Sequence, residues 1–263
     1  MRILKRNRII ATIGIALMIL LITAGCGSNK NSDNESGVTD EAAIVLSNEE
    51  STENTLENDG VVFHSYDEFI EKINYLLDVM DTSDSETFLD EATRYLWVTS
   101  PVYNAFTNQN DQFGYLQVDI DGDGVDELLL GTTGSEDDSY YVDIISMFTL
   151  RKGVVYTVFE RNERDCYTIY AEGIIEHSFV YPNSSYGAEY FKYNAGNLEA
   201  IESAYCEVSF RDDEWGEVYY YSDSASQERE LTEKEYHEMR DDLINRYCKQ
   251  EMQLQLHLFK DKQ

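Results

Sequence analysis

The run Phe113-Gly114-Tyr115-Leu116-Gln117-Val118-Asp119-Ile120-Asp121-Gly122-Asp123-Gly124-Val125-Asp126-Glu127-Leu128-Leu129-Leu130-Gly131 decides how this chain is read. Its first six residues are rich in aromatic and aliphatic side chains, and Glu127–Gly131 is a second apolar run, so each half reads as a strand. Between them, acids at 119, 121, 123 and 127 are spaced around Gly122 and Gly124. Alternate residues of a tight loop point their oxygens at a common centre, and a glycine at the sixth position permits the sharp turn. Carboxylates so placed repel one another unless a hard divalent cation sits among them. The expectation is a strand, a cation-organised loop and a second strand. Asp119, Asp121, Asp123 and Glu127 are its candidate side-chain ligands, and Val125 would offer its carbonyl. Ca2+ suits this oxygen donor set, in a structural role. A polar hairpin turn without metal stays open as the plainer reading.

Upstream of the loop the pattern is helical. Ser65-Tyr66-Asp67-Glu68 has the form of a capping box, and Phe69, Ile73, Leu76, Leu77 and Met80 then share a face. A second helix is expected from Ser85 to Trp97, ended by Ser100-Pro101. Downstream, apolar runs alternate with turns: Tyr140–Leu150, Val154–Glu160, Cys166–Tyr170, Ile174–Val180, Ala188–Tyr193, Leu198–Phe210 and Glu217–Tyr221. Short glycine-bearing links between such runs predict hairpins and an antiparallel meander. Thr232-Glu233-Lys234-Glu235 opens a C-terminal helix, and alternation over Met252–Leu258 predicts a closing strand. The fold class is α+β: one meander sheet with two N-terminal helices and one C-terminal helix.

The loop resembles the first part of an EF-hand, yet the twelfth position, where a bidentate Glu would stand, is Leu130. It is closer to the strand–loop–strand calcium sites of FG-GAP and VCBS-type modules, whose pattern closes with an acid at the ninth position, here Glu127. Only one copy is present, which excludes a propeller of repeated blades.

The N-terminus reads as an address. Arg2, Lys5, Arg6 and Arg8 precede the uncharged run Ile9–Thr23, and Ile22-Thr23-Ala24-Gly25-Cys26 resembles a bacterial lipobox. The resemblance implies cleavage before Cys26, a diacylglyceryl group on that cysteine and an acylated new N-terminus. Two or more acyl chains hold a protein stably on a bilayer. Residues 1–25 are thus the expected lipoprotein signal peptide, and 26–60 the lipidated cysteine and a disordered acidic tether. Residues 61–263 form a single domain. Residues 27–60 carry nine acids, one lysine and no aromatic residue, too little apolar surface to offset ordering entropy. The lipobox, the loop and the hairpins together resemble uncharacterised surface lipoproteins of Gram-positive bacteria. That resemblance implies the outer face of the cell membrane.

Composition narrows the function. With 51 acidic against 20 basic residues the net charge is −31, and it reaches −35 once residues 1–25 are removed. Such a balance excludes nucleic-acid wrapping, which demands a basic face. His64, His177, His237 and His257 form no HExxH or triad-like motif, and no P-loop or Rossmann fingerprint appears. Cys166, Cys206 and Cys248 lack zinc spacing; three buried thiols is the favoured reading, with Cys166 and Cys206 the pair if a disulfide forms. The 20 tyrosines suit ordinary sheet packing or an exposed platform for a ligand. The expected function is a non-catalytic binding module for a polysaccharide, peptide or protein; the alternatives are a lipid-anchored hydrolase of wall or dietary polymer using paired carboxylates, and an accessory subunit of a transport or secretion complex.

Overall fold

The computed structural model describes residues 62–261 except 84, 95, 97, 110, 137–138, 183–184, 212–213 and 225–227. The expected signal peptide, the expected lipidation site Cys26 and the expected tether lie outside the described residues. The first helix, α1 (Tyr66–Thr82), starts where its cap predicts: Ser65 accepts the Glu68 N–H at 3.2 Å. The capping box is only half formed, because the Glu68 carboxylate takes the His64 N–H at 2.8 Å instead of that of Ser65. The second, α2 (Ser85–Ala92), ends short of the expected Trp97. Ser100-Pro101 does not end a helix but opens a third, α3 (Ser100–Thr107), with Thr99 as its cap. Proline is suited to a first turn, where its missing N–H would have had no helical partner.

The single meander expected from the hairpin signals is two. Strands β1 (Phe113–Val118), β2 (Glu127–Glu136), β3 (Ser139–Arg151) and β4 (Val154–Glu160) form one antiparallel sheet. Strands β5 (Asp165–Tyr170), β6 (Ile174–Val180), β7 (Tyr186–Asn194), β8 (Asn197–Arg211), β9 (Glu214–Asp223) and β10 (Arg229–Leu231) form the other. The break falls between β4 and β5, and its reason is burial. Leu128 and Leu130 pack with α1–α3, whereas Leu129 packs with β5–β7, so the triplet is covered on both faces. A continuous apolar run is what such a strand needs. The layers run helices α1–α3, first sheet, second sheet, and then α4 (Glu233–Tyr247), which covers the far face of the second sheet through Tyr236 and Leu243. Both bonds of the α4 capping box form: the Glu235 N–H meets the Thr232 hydroxyl at 3.3 Å, and the Thr232 N–H meets the Glu235 carboxylate at 2.8 Å.

The tail after α4 forms only a two-residue strand, β11 (His257–Leu258), beside β1. Its start touches the other sheet, where the Met252 N–H donates to the Ile169 carbonyl at 2.9 Å. A segment bridging two sheet edges finds ladder partners only at its ends, so the expected strand over Met252–Leu258 does not run its full length. Met252 and Leu254 instead join the core between the sheets. Gly114 admits this closure, since a Cβ there would lie 2.6 Å from the His257 carbonyl oxygen.

The tyrosines divide. Tyr190, Tyr193, Tyr219 and Tyr236 are core residues, while Tyr140 and Tyr141 are exposed. Cys166, Cys206 and Cys248 are all free thiols. Cys166 on β5 and Cys206 on β8 are three strand spacings apart, about 14 Å, beyond disulfide reach.

Candidate metal centre

The acid loop joins β1 to β2, and the register that sets Val118 opposite Glu127 carries Glu127 into the base of the loop. The loop closes around its first carboxylate: Asp119 Oδ1 accepts the Gly122 N–H at 2.7 Å, and Oδ2 accepts the Gly124 N–H at 3.0 Å. Gly122 and Gly124 hold φ of 80° and 88°, the left-handed region that glycine enters without strain. Asp121 and Asp123 each take the N–H two residues on, at 3.2 and 2.7 Å. One oxygen each from Asp119, Asp121 and Glu127 lies within 4.8 Å of the others. Asp123 is exposed and outside that group, and Val125 is exposed. Leu130 is buried, so no ligand comes from the twelfth position.

The second sheet supplies partners that no sequence pattern announced. Ala195, in the β7–β8 turn, donates its N–H to Asp121 Oδ2 at 2.5 Å. Tyr193, at the end of β7, donates its hydroxyl to Glu127 Oε1 at 2.7 Å. Thr149 on β3 reaches the same oxygen at 3.4 Å, and the Ile120 N–H donates to Oε2 at 3.1 Å. From the helical layer, the Tyr66 hydroxyl donates to the Asp126 carbonyl at 2.8 Å. Apart from the Ile120 bond within the loop, these contacts span 22 to 74 residues of sequence, beyond any local signal.

Glu127 is 1% exposed. Burial raises its pKa, the bonds from Tyr193 and Ile120 work against that, and the charges of Asp121 and Asp123 add to the rise; the net shift is upward. Burial, followed by the neighbouring Glu127, also pushes the Tyr66 phenol up. The donor set is all oxygen, as Ca2+ or Mg2+ requires. A carboxylate oxygen bonded to one N–H keeps a second acceptor site, so the backbone bonds and a bound ion are compatible. The residues present therefore fit a hard divalent ion. The same carboxylate cluster, with Glu127 buried and Asp119 and Asp121 half-buried, has the chemistry to engage a polar ligand.

His177, which the sequence left without a role, stands between two carboxylates. Its Nδ1 lies 2.9 Å from Glu189 and its Nε2 3.4 Å from Asp165. Its ring stacks on Tyr167 at 4.6 Å, and Tyr167 stacks on Phe159 at 3.9 Å. Burial alone would lower the His177 pKa, but the Glu189 bond and the charges of Glu189 and Asp165 outweigh it and hold it above its ordinary value. The nitrogens face opposite ways, so these three residues do not converge on one ion; they cross-link β5, β6 and β7. His64 bonds the Gly153 carbonyl at 2.9 Å, and His257 lies on β11.

Among the described residues, no helix is long and apolar enough to cross a membrane. No protein-family model, curated protein or solved structure matches this chain.

Proposed function

We propose that this chain is an extracytoplasmic binding module, lipid-anchored through Cys26, whose two sheets are fastened by a divalent cation, Ca2+ by preference, at Asp119, Asp121 and Glu127. The observation that carries the cation is the convergence of three carboxylates within 4.8 Å in a loop whose partners come from both sheets. An ion there would offset the repulsion among the acids. It would thereby hold Asp121 against the Ala195 turn and Glu127 against Tyr193. Extracellular calcium modules bind at about 10⁻⁴ to 10⁻³ M, and the lack of a twelfth-position ligand points to that range. The anchor rests on the basic, apolar and lipobox segments of residues 1–26. Melting of the whole chain in millimolar calcium and in excess EDTA tests the cation, with a lower Tm in EDTA expected. Equal melting temperatures would refute it.

A second reading, a hydrolase working through paired carboxylates, draws on the same cluster. Glu127 is buried beside two other acids and its pKa is raised, which is the condition of a carboxylic general acid. Cleavage of a polymeric glycan that is abolished by Glu127→Gln in a folded variant would establish it. Cleavage that persists in that variant would discard Glu127 as the acid.

A further inference from the structure

We propose that the cavity between α2–α3 and the first sheet binds an organic cation, an ammonium or guanidinium group carried on an apolar stem. The cavity encloses about 740 Å³, within the range of small-molecule sites. Leu89, Val98, Tyr103 and Ile145 give it an apolar wall, and Asp143, Arg161 and Glu163 give it a charged one. Arg161 is the one basic residue among its lining, and its Nη1 is engaged by Asp143. The Arg161 side chain is 17% exposed against 35% for Asp143, so the carboxylate belongs to the more accessible side chain of the pair. Glu163 adds an exposed acid.

The lining therefore carries two carboxylates against one guanidinium, in a chain of net charge −31 that draws cations toward it. An anion would meet two carboxylates against a single guanidinium, whose Nη1 Asp143 engages while its Nε is buried without a partner. A wholly apolar guest would strip water from those carboxylates without replacing its hydrogen bonds. A cation on an apolar stem satisfies both walls: its charge lies beside Glu163 and Asp143, and its stem lies along Leu89 and Tyr103. The Tyr103 ring face is a further attraction for such a charge. None of the residues lining the cavity belongs to the Asp119–Glu127 loop, so this inference stands apart from the metal reading.

Agmatine, a guanidinium-bearing alkyl amine, is the probe, titrated into the whole chain at physiological salt and followed by amide NMR shifts. Saturable shifts centred on Tyr103, Asn104 and Asp143 are expected. Glu163→Gln should weaken binding about two- to fivefold, the scale of one partly exposed charge pair. Leu89→Arg, which sets a tethered guanidinium at the rim, should abolish it. Glu199→Gln, the same charge change on β8, should do nothing. Shifts spread over surface acids, equal effects of the Glu163 and Glu199 variants, or glucose binding the cavity as well as agmatine would overturn the proposal.

Discussion

Glu127 has nearly every buried interaction of the loop converging on its two oxygens, and the hydroxyl of Tyr193 is the closest of them. Tyr193→Phe removes that donor and leaves the ring. The variant should lose about 1–3 kcal/mol, the cost of leaving a buried acceptor short of a partner, read from urea denaturation. Glycines near the loop make a second, graded test. Gly124 sits at φ 88° with open space where a Cβ would go, whereas Gly173 sits at φ 67° and a Cβ there would meet the Tyr193 carbonyl oxygen at 2.9 Å. Gly124→Ala should cost about 1–2 kcal/mol of backbone strain. Gly173→Ala should cost more, because it also pushes β7 away from the loop; equal denaturation midpoints for the two would contradict this packing. At this scale the sequence exposed Asp119, Asp121 and Glu127 because their spacing is local. Thr149 stayed hidden because only the β2–β3 register sets it beside Glu127, and Tyr193 and Ala195 because only the meeting of two sheets brings them to Glu127 and Asp121.

Among the elements, the ladder β5–β6–β7 carries a titratable cross-link in His177. Its folded pKa is raised, so its stabilisation is complete below about 6.5, the ordinary histidine value, and is lost as pH rises through the higher folded value. Glu160, at the end of β4, acts in the same direction. Burial lifts its carboxyl from 4.5 to about 8, so the folded state keeps a proton that the unfolded chain releases, and stability falls as pH rises across that interval. Urea midpoints of the wild-type chain should therefore decline from weakly acidic to alkaline pH. Either His177→Gln or Glu160→Gln should flatten that decline, and a slope unchanged in both variants would contradict the assignment. Strand positions were legible in the sequence because alternation and glycine turns are short-range. The extent of the second helix, the start of α3 and the reach of the tail were not. Pro101 reads as a stop or a start depending on the cap before it, and the tail's alternation reflects burial between sheets, not ladder pairing.

For the whole molecule, α+β and antiparallel could be read from the order of helical and alternating segments, but the division into two sheets could not. That division follows from Leu128-Leu129-Leu130 being covered on both faces, which a strand's own residues imply without saying by what. The acid loop lies where the two sheets meet, so a bound ion would act on the joint between them. Its charge would be matched by the oxygens of the β1–β2 loop, to which the second sheet contributes the Tyr193 and Ala195 hydrogen bonds. The direct measurement is isothermal calorimetry of Ca2+ into the whole chain and into Asp119→Asn and Asp121→Asn, which remove a ligand charge while the amide oxygen keeps one of the two backbone N–H bonds that each carboxylate accepts. The account predicts a saturable calcium site in the wild type, weakened or lost in both variants while they remain folded. The same calcium heats in all three proteins would contradict it.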